Sequence, residues 1–141
     1  MSPNAARTAI HKVTTPAAPE PPSGLFSNCL VVGDQVHVSG QHAGTQDGAV
    51  GGASMLEQTR EALRRVLALV EAAGGDAAGV VKLTIYLTDM NRRGEVSAAR
   101  REVFKEPFPC STLIGISALA EPGLLVEIEA IAVRNAGPRG D

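Results

Sequence analysis

Aromatic residues are scarce in this chain: no tryptophan, one tyrosine and three phenylalanines among 141 residues. Surfaces that bind single-stranded nucleic acid stack bases on aromatic side chains, and here there is little to build one from. Basic charge is not in excess either. Thirteen Lys and Arg stand against fifteen Asp and Glu, a formal net charge of -2, whereas neutralising phosphates takes a clustered basic surface. Arg92-Arg93 and Arg100-Arg101 come nearest, but Glu95 and Glu102 interleave with them, as on a solvated helix face. No nucleic-acid partner is expected. The two cysteines, Cys29 and Cys110, are too few for a disulfide framework and lack zinc-site spacing, so a reducing, cytoplasmic compartment is expected. No apolar run approaches the roughly 18–20 residues of a membrane span, and the start has no signal-peptide apolar region. No membrane partner is expected.

The chain has aliphatic residues in quantity. Hydrophobic residues make up 44% of it, enough for one domain with a core of Val, Leu, Ile and Ala. Residues 1–22 carry Pro3, Pro16, Pro19, Pro21 and Pro22. Proline fixes φ and removes a donor, so most of this segment is expected as an extended, poorly packed tail, with its last few residues against a domain at 23–133. Residues 134–141 are expected as a polar tail. Its last three, Arg139-Gly140-Asp141, match a cell-adhesion tripeptide that recurs by chance.

Within the domain, Cys29–Val32 and Gln35–Ser39 read as strands joined by the two-residue turn Gly33-Asp34. Residues 44–53 read as a Gly- and Asp-rich loop. Ser54 and Glu57 have capping-box spacing. Leu56, Leu63, Val66, Leu67 and Val70 then follow helical spacing, with Gln58, Arg60, Glu61, Arg64 and Arg65 off that face. Gly74-Gly75 ends the helix. In 80–88, Val81, Leu83, Ile85 and Leu87 alternate with Lys82, Thr84 and Tyr86 as in a half-buried strand. A second helix spans about 94–104, with Val96, Ala99, Val103 and Phe104 inward, and Pro107 and Pro109 set the chain extended after it. Strands follow at about 110–117 and 124–133.

The order strand-strand-helix-strand-helix-strand-strand predicts an α+β sandwich with two helices on one face of a mixed sheet. The other face, with Lys82, Thr84, Tyr86, Glu127 and Glu129, is left uncovered. A half-polar uncovered sheet predicts a homo-oligomer. Two stretches stand out chemically. Phe108-Pro109-Cys110-Ser111-Thr112 places a thiol and two hydroxyls in a row. In Val126-Glu127-Ile128-Glu129-Ala130 two carboxylates alternate with apolar residues, which asks for something polar beside the strand.

The chain resembles the Rid family of reactive-intermediate imine/enamine deaminases, also called YjgF-like proteins. The resemblance is carried by Val38-Ser39-Gly40-Gln41, Gln58-Thr59, Ala72-Ala73-Gly74, residues 81–90, Phe108-Pro109 and residues 126–133, and covers about 24–133. It implies a chorismate-mutase-like fold and a homotrimer with small-molecule ligands between subunits. In active members it implies hydrolysis of imines to keto acids and ammonia without metal or organic cofactor. Active members carry an arginine two residues after the proline of the Pro109 stretch, which clamps the substrate carboxylate; here that position is Ser111. A family tyrosine corresponds to Phe26 and a family asparagine to Ser97. The acid that positions water corresponds to Glu127.

The pocket implied is formed by Phe26, Ser39, Gly40, Gln41, His42, Cys110, Ser111, Thr112 and Glu127, with Glu127 as the catalytic candidate. Each role has a plainer counterpart. Glu127 positions water or is a structural acid at the trimer interface, and Glu129 reads as structural. Cys110 is a nucleophile, which needs a nearby base, or a small pocket-lining residue. Ser111 and Thr112 offer ligand hydroxyls. His42 contacts ligand or is a surface imidazole. Phe26 caps the pocket, and Arg100 replaces the missing guanidinium or is simply solvated. The function expected is hydrolysis of a reactive enamine or imine with altered substrate preference. The alternative is a non-catalytic trimer that binds a small metabolite or accompanies a pathway enzyme. Endoribonuclease activity, for which some relatives are named, fits the acidic balance worst.

Overall fold

The computed structural model describes residues 6–137. Strands β1 (Ile10–Lys12), β2 (Cys29–Val32) and β3 (Gln35–Gln41) precede a small hairpin of β4 (Gly44–Thr45) and β5 (Gly48–Ala49). Helix α1 (Met55–Ala72), β6 (Val80–Leu87), α2 (Arg93–Val103), β7 (Cys110–Gly115) and β8 (Val126–Val133) follow. The main sheet has the order β1-β2-β3-β8-β6-β7. Its neighbours are antiparallel except β6 and β7, which are parallel. A parallel pair needs a long crossover, and α2 supplies it. The expected α+β order is present, with β1 and the β4–β5 hairpin added to it.

Both helices lie on one face. Leu63, Val66, Leu69 and Val70 of α1 and Val96 and Ala99 of α2 meet Val36, Leu83, Ile85, Val126 and Ile128 of the sheet, all buried. Ser54 caps α1 by accepting from the Glu57 N–H at 3.1 Å. The reciprocal half of the capping box is absent, because the Glu57 carboxylate is taken by Arg60. At the other end the Gly75 N–H reaches Val70 O at 2.9 Å and the Gly74 N–H reaches Glu71 O at 3.0 Å. This is a Schellman closure, and it needs the positive φ of 94° at Gly74.

Four expectations are corrected. The proline-rich segment is not wholly a tail: Ile10 pairs with Val32, the Val13 N–H donates to Cys29 O at 3.0 Å, and Ala18 is buried. An edge strand needs only one ladder of hydrogen bonds, so prolines just beyond it do no harm. Arg134 is likewise anchored, donating to Gly33 O and Ala73 O; Arg139-Gly140-Asp141 and Pro3 lie outside the described residues. On β6 the register shifts between Val80 and Lys82, so Val80 is buried and Val81 exposed. On α1, Gln58 and Arg65 are buried.

Gln58 is buried because backbone groups need it. Its Nε2 donates to Gly52 O at 2.6 Å and Gly123 O at 2.8 Å, and its Oε1 accepts from the Leu125 N–H at 2.9 Å. It ties the loop before α1 to the loop that enters β8. Arg65 donates to Glu61 at 2.8 Å and to Gly44 O at 3.0 Å.

Candidate active site

Strand alternation sets the polar side chains of β8 against those of β6. Val126, Ile128, Ala130 and Ala132 are buried under the helices, and Glu127 and Glu129 point to the open face. Tyr86 is the register partner of Glu127 and Thr84 that of Glu129. The Tyr86 hydroxyl donates to Glu129 Oε1 at 2.7 Å. That hydrogen bond, and then burial and the two carboxylate charges, hold the Tyr86 pKa above its ordinary value. Glu127 is different. Its carboxylate accepts no hydrogen bond and makes no ion pair among the described residues.

Glu127 lies over Gly40. The register of β3 on β8 is irregular between Val38 and Gln41. A Cβ at Gly40 would stand 2.7 Å from Glu127 Oε1 and 2.8 Å from its Cδ, so the carboxylate occupies the space that any other residue would fill. The neighbouring side chains tie the end of β3 to the segment before β2. Ser39 Oγ donates to Ser27 O at 2.6 Å. The buried Gln41 amide donates to Asn28 Oδ1 at 3.2 Å and Ser39 O at 3.1 Å. His42 Nδ1 accepts from the Gly44 N–H at 3.0 Å, which leaves a neutral ring its proton on Nε2. Phe26, next to Ser27, is 56% exposed.

The three residues of β7 do not share a face. Cys110 pairs with Lys82, Ser111 with Leu83 and Thr112 with Thr84. Leu113 packs on the core, so Ser111 points to the helix side with it, and Cys110 and Thr112 to the open side. Arg100 of α2 meets Ser111 there: its Nη1 donates to Ser111 Oγ at 2.7 Å and its Nη2 to Ser97 Oγ at 3.0 Å. Leu83, Ser97, Arg100, Phe104, Phe108 and Ser111 line a cavity of about 260 Å³. A second one of about 400 Å³ lies on the open face by Ser39, Lys82, Thr84 and Glu129.

The candidate residues therefore form separate groups in the single chain: Gly40 with Glu127, Ser39 and Gln41 with residues 27–28, and Ser111 with Ser97 and Arg100. Both cysteines are free. Burial pushes the Cys29 thiol up to about 11. Cys110 is exposed, and no base contacts its thiol among the described residues. No group of three or more His, Cys, Asp and Glu side chains there comes together to hold a metal. No helix there is long and apolar enough to cross a membrane. Sequence reasoning missed the Tyr86–Glu129 bond and the burial of Gln58. The second had a signal, since Gln58 lies three residues from Met55 and four from Ala62, on the core side of the helix.

Comparison with known proteins gives the chain its relatives. The family described as Endoribonuclease L-PSP matches residues 15–134. A protein of Dermatophagoides farinae named 2-iminobutanoate/2-iminopropanoate deaminase is 32% identical over 124 residues, 86% of this chain and 94% of that protein. The Homo sapiens protein of the same name is 29% identical, over 89% of this chain and 91% of that one. Among solved structures, a Pseudomonas aeruginosa protein of unknown function superposes with a TM-score of 0.82 at 34% identity, covering 92% of this chain and 95% of that one. A Mycobacterium tuberculosis member of the YjgF/YER057c/UK114 family does so with 0.73 at 32%, covering 89% and 99%. With a family model matching residues 15–134 and relatives about 32% identical over most of its length, the chain belongs to the YjgF-like, or Rid, family.

Proposed function

We propose that this protein is a cytoplasmic homotrimer that hydrolyses a reactive enamine or imine to a carbonyl compound and ammonia, with a substrate preference of its own. The observation that carries this reading is the Glu127 carboxylate, half-buried on the open face, packed on Gly40 and free of any partner among the described residues. The names of the relatives at 29–32% identity support the reaction type. In the proposed step water adds to the C=N carbon. One water proton passes by way of Glu127 to nitrogen, giving a carbinolamine; its hydroxyl proton then passes to the amine as the C–N bond breaks, leaving a carbonyl and ammonia. An enamine first takes a proton on carbon and loses one from nitrogen to become the imine.

The trimer is supported by the uncovered sheet face and by Phe26 and Phe108, each 56% exposed. A second copy on that face would cover the sheet, and the burial of exposed phenylalanines favours association. The pocket is then formed between subunits, by residues that stand apart in one protomer. Sedimentation tests this arrangement, and a monomer would contradict it.

The reaction is tested by generating imino acids in situ with an amino-acid oxidase and following semicarbazone formation. The expected result is slow turnover of the alanine-derived imine and faster turnover of imines with larger apolar arms. If imine decay stays at the buffer rate for every amino acid tried, the hydrolase reading is wrong and the metabolite-binding alternative takes its place. Thermal shift by small carboxylates then reports the ligand.

A further inference from the structure

Arg100 is a charge without a counter-charge. Arg60, Arg64, Arg65 and Arg92 each lie against a glutamate. Among the described residues Arg100 meets only the hydroxyls of Ser97 and Ser111. Neutral hydroxyls orient a guanidinium and leave its charge uncompensated. Burial draws its pKa below the ordinary arginine value, and the like charge of Arg101 adds to the effect; a nearby acid would have acted the other way. Only two of the roughly five N–H donors of an arginine are engaged.

The surroundings say what kind of ligand fits. The guanidinium borders the cavity of about 260 Å³ whose other walls include Leu83, Phe104, Phe108 and Pro109. A cationic head beside an apolar wall suits a small organic anion with an apolar arm. The guanidinium fork matches a carboxylate through two parallel hydrogen bonds.

We propose that Arg100, oriented by Ser97 and Ser111, binds the carboxylate of a 2-imino or 2-oxo acid whose apolar arm lies against Phe104 and Phe108. For the imino acid this rests on the hydrolase reading; for the oxo acid it rests on the cavity alone. The clamp enters from α2, so the carboxylate is held on the helix side of β7.

The test uses the full-length protein, with 4-methyl-2-oxopentanoate as the binding probe and the leucine-derived imine as the substrate. Calorimetry is expected to find that the wild type binds the oxo acid and that Arg100→Ala weakens it roughly tenfold or more, as loss of a charged hydrogen-bond pair does. The uncharged 4-methylpentan-2-one is expected not to distinguish the two proteins. In kinetics KM rises and kcat falls with it, because the carboxylate is bonded directly to the C=N carbon and its clamp also orients that carbon for attack. Arg100→Lys restores part of the affinity, as a point charge without the fork. Arg100→Gln, which keeps a donor for the two hydroxyls, replaces the alanine variant if that one fails to fold. Equal binding by wild type and folded variant overturns the proposal, as does a wild type that does not bind the oxo acid. Oxo-acid binding through Arg100 without imine turnover sustains the anion site and rejects the hydrolase. Turnover with unchanged KM in Arg100→Ala does the reverse.

Discussion

The Tyr86 hydroxyl donates to Glu129 at 2.7 Å, and this bond separates two carboxylates that the strand pattern makes alike. Glu127 and Glu129 share a face of β8 and are both half-buried. Glu129 is occupied by a phenol, and Glu127 has no such partner among the described residues. Glu127→Gln is expected to lower imine hydrolysis roughly 100-fold, the scale of a positioned acid–base group, with little change in melting temperature. Glu129→Gln is expected to keep most of the activity. Semicarbazone rates for the two variants check this, and equal losses would remove the distinction.

Gly40→Ala probes the same carboxylate from the other side. The added Cβ meets the end of the Glu127 side chain at 2.7 Å. The φ of Gly40 is not positive, so alanine brings no backbone strain. The carboxylate moves and the fold stays. A fall in kcat with a nearly unchanged melting temperature is expected. A large loss of stability would mean that the sheet, and not Glu127, fills that space rigidly.

Gln58→Leu tests the tie between the two loops. Leucine fits the volume but strands Gly52 O, Gly123 O and the Leu125 N–H, which Gln58 now satisfies. Leaving these partly buried backbone groups bare costs about 1–3 kcal/mol. Urea unfolding at neutral pH is expected to report a loss of that order.

The α+β order was legible because period-2 and period-3.6 patterns are written in aliphatic residues at 81–87 and 56–70. Where the sequence misled, a local feature overrode the period. A bulge turned Val81 outward, and Gln58 faces the core to satisfy backbone that no pattern reveals. Cys110-Ser111-Thr112 read as one row, yet alternation along β7 sends Ser111 to α2 and its neighbours to the open face. Glu127 and Gly40 were each singled out, but their contact depends on the irregular register between β3 and β8. Pairing across strands distant in sequence leaves no local trace.

Acid stability is expected to depend on Glu61. The hydrogen bond from Arg64, supported by Arg65, holds its carboxyl below the ordinary value of 4.5, although burial opposes this. The unfolded chain therefore takes up the proton first as pH falls. The stabilisation is complete above about pH 4.5 and is lost as pH drops through the native value. Glu61→Gln is expected to cost about 2 kcal/mol at pH 7, chiefly through the buried Arg65, since exposed pairs contribute little. Chemical denaturation from pH 7 to pH 3 should show wild type and variant converging at the acid end. A constant gap would place the effect in packing and not in charge.

Ser111→Arg puts a guanidinium at the family position, and the geometry argues against a simple gain. Arg100 Nη1 is 2.7 Å from Ser111 Oγ, so the new arginine arrives beside an existing one. It also removes a hydroxyl that orients Arg100. Two like charges in a half-buried site repel strongly, and Phe26 still lacks a hydroxyl. The single variant is expected to turn over the leucine-derived imine no faster than the wild type. Adding Arg100→Ser relieves the repulsion and leaves one clamp, now on β7. The double variant is expected to exceed Ser111→Arg alone and to favour smaller side arms, because the displaced clamp no longer lays the apolar arm against the Phe104–Phe108 wall. Steady-state kinetics on alanine- and leucine-derived imines would reveal this switch. A Ser111→Arg protein tenfold better than the wild type on both would mean that Arg100 takes no part in holding the substrate.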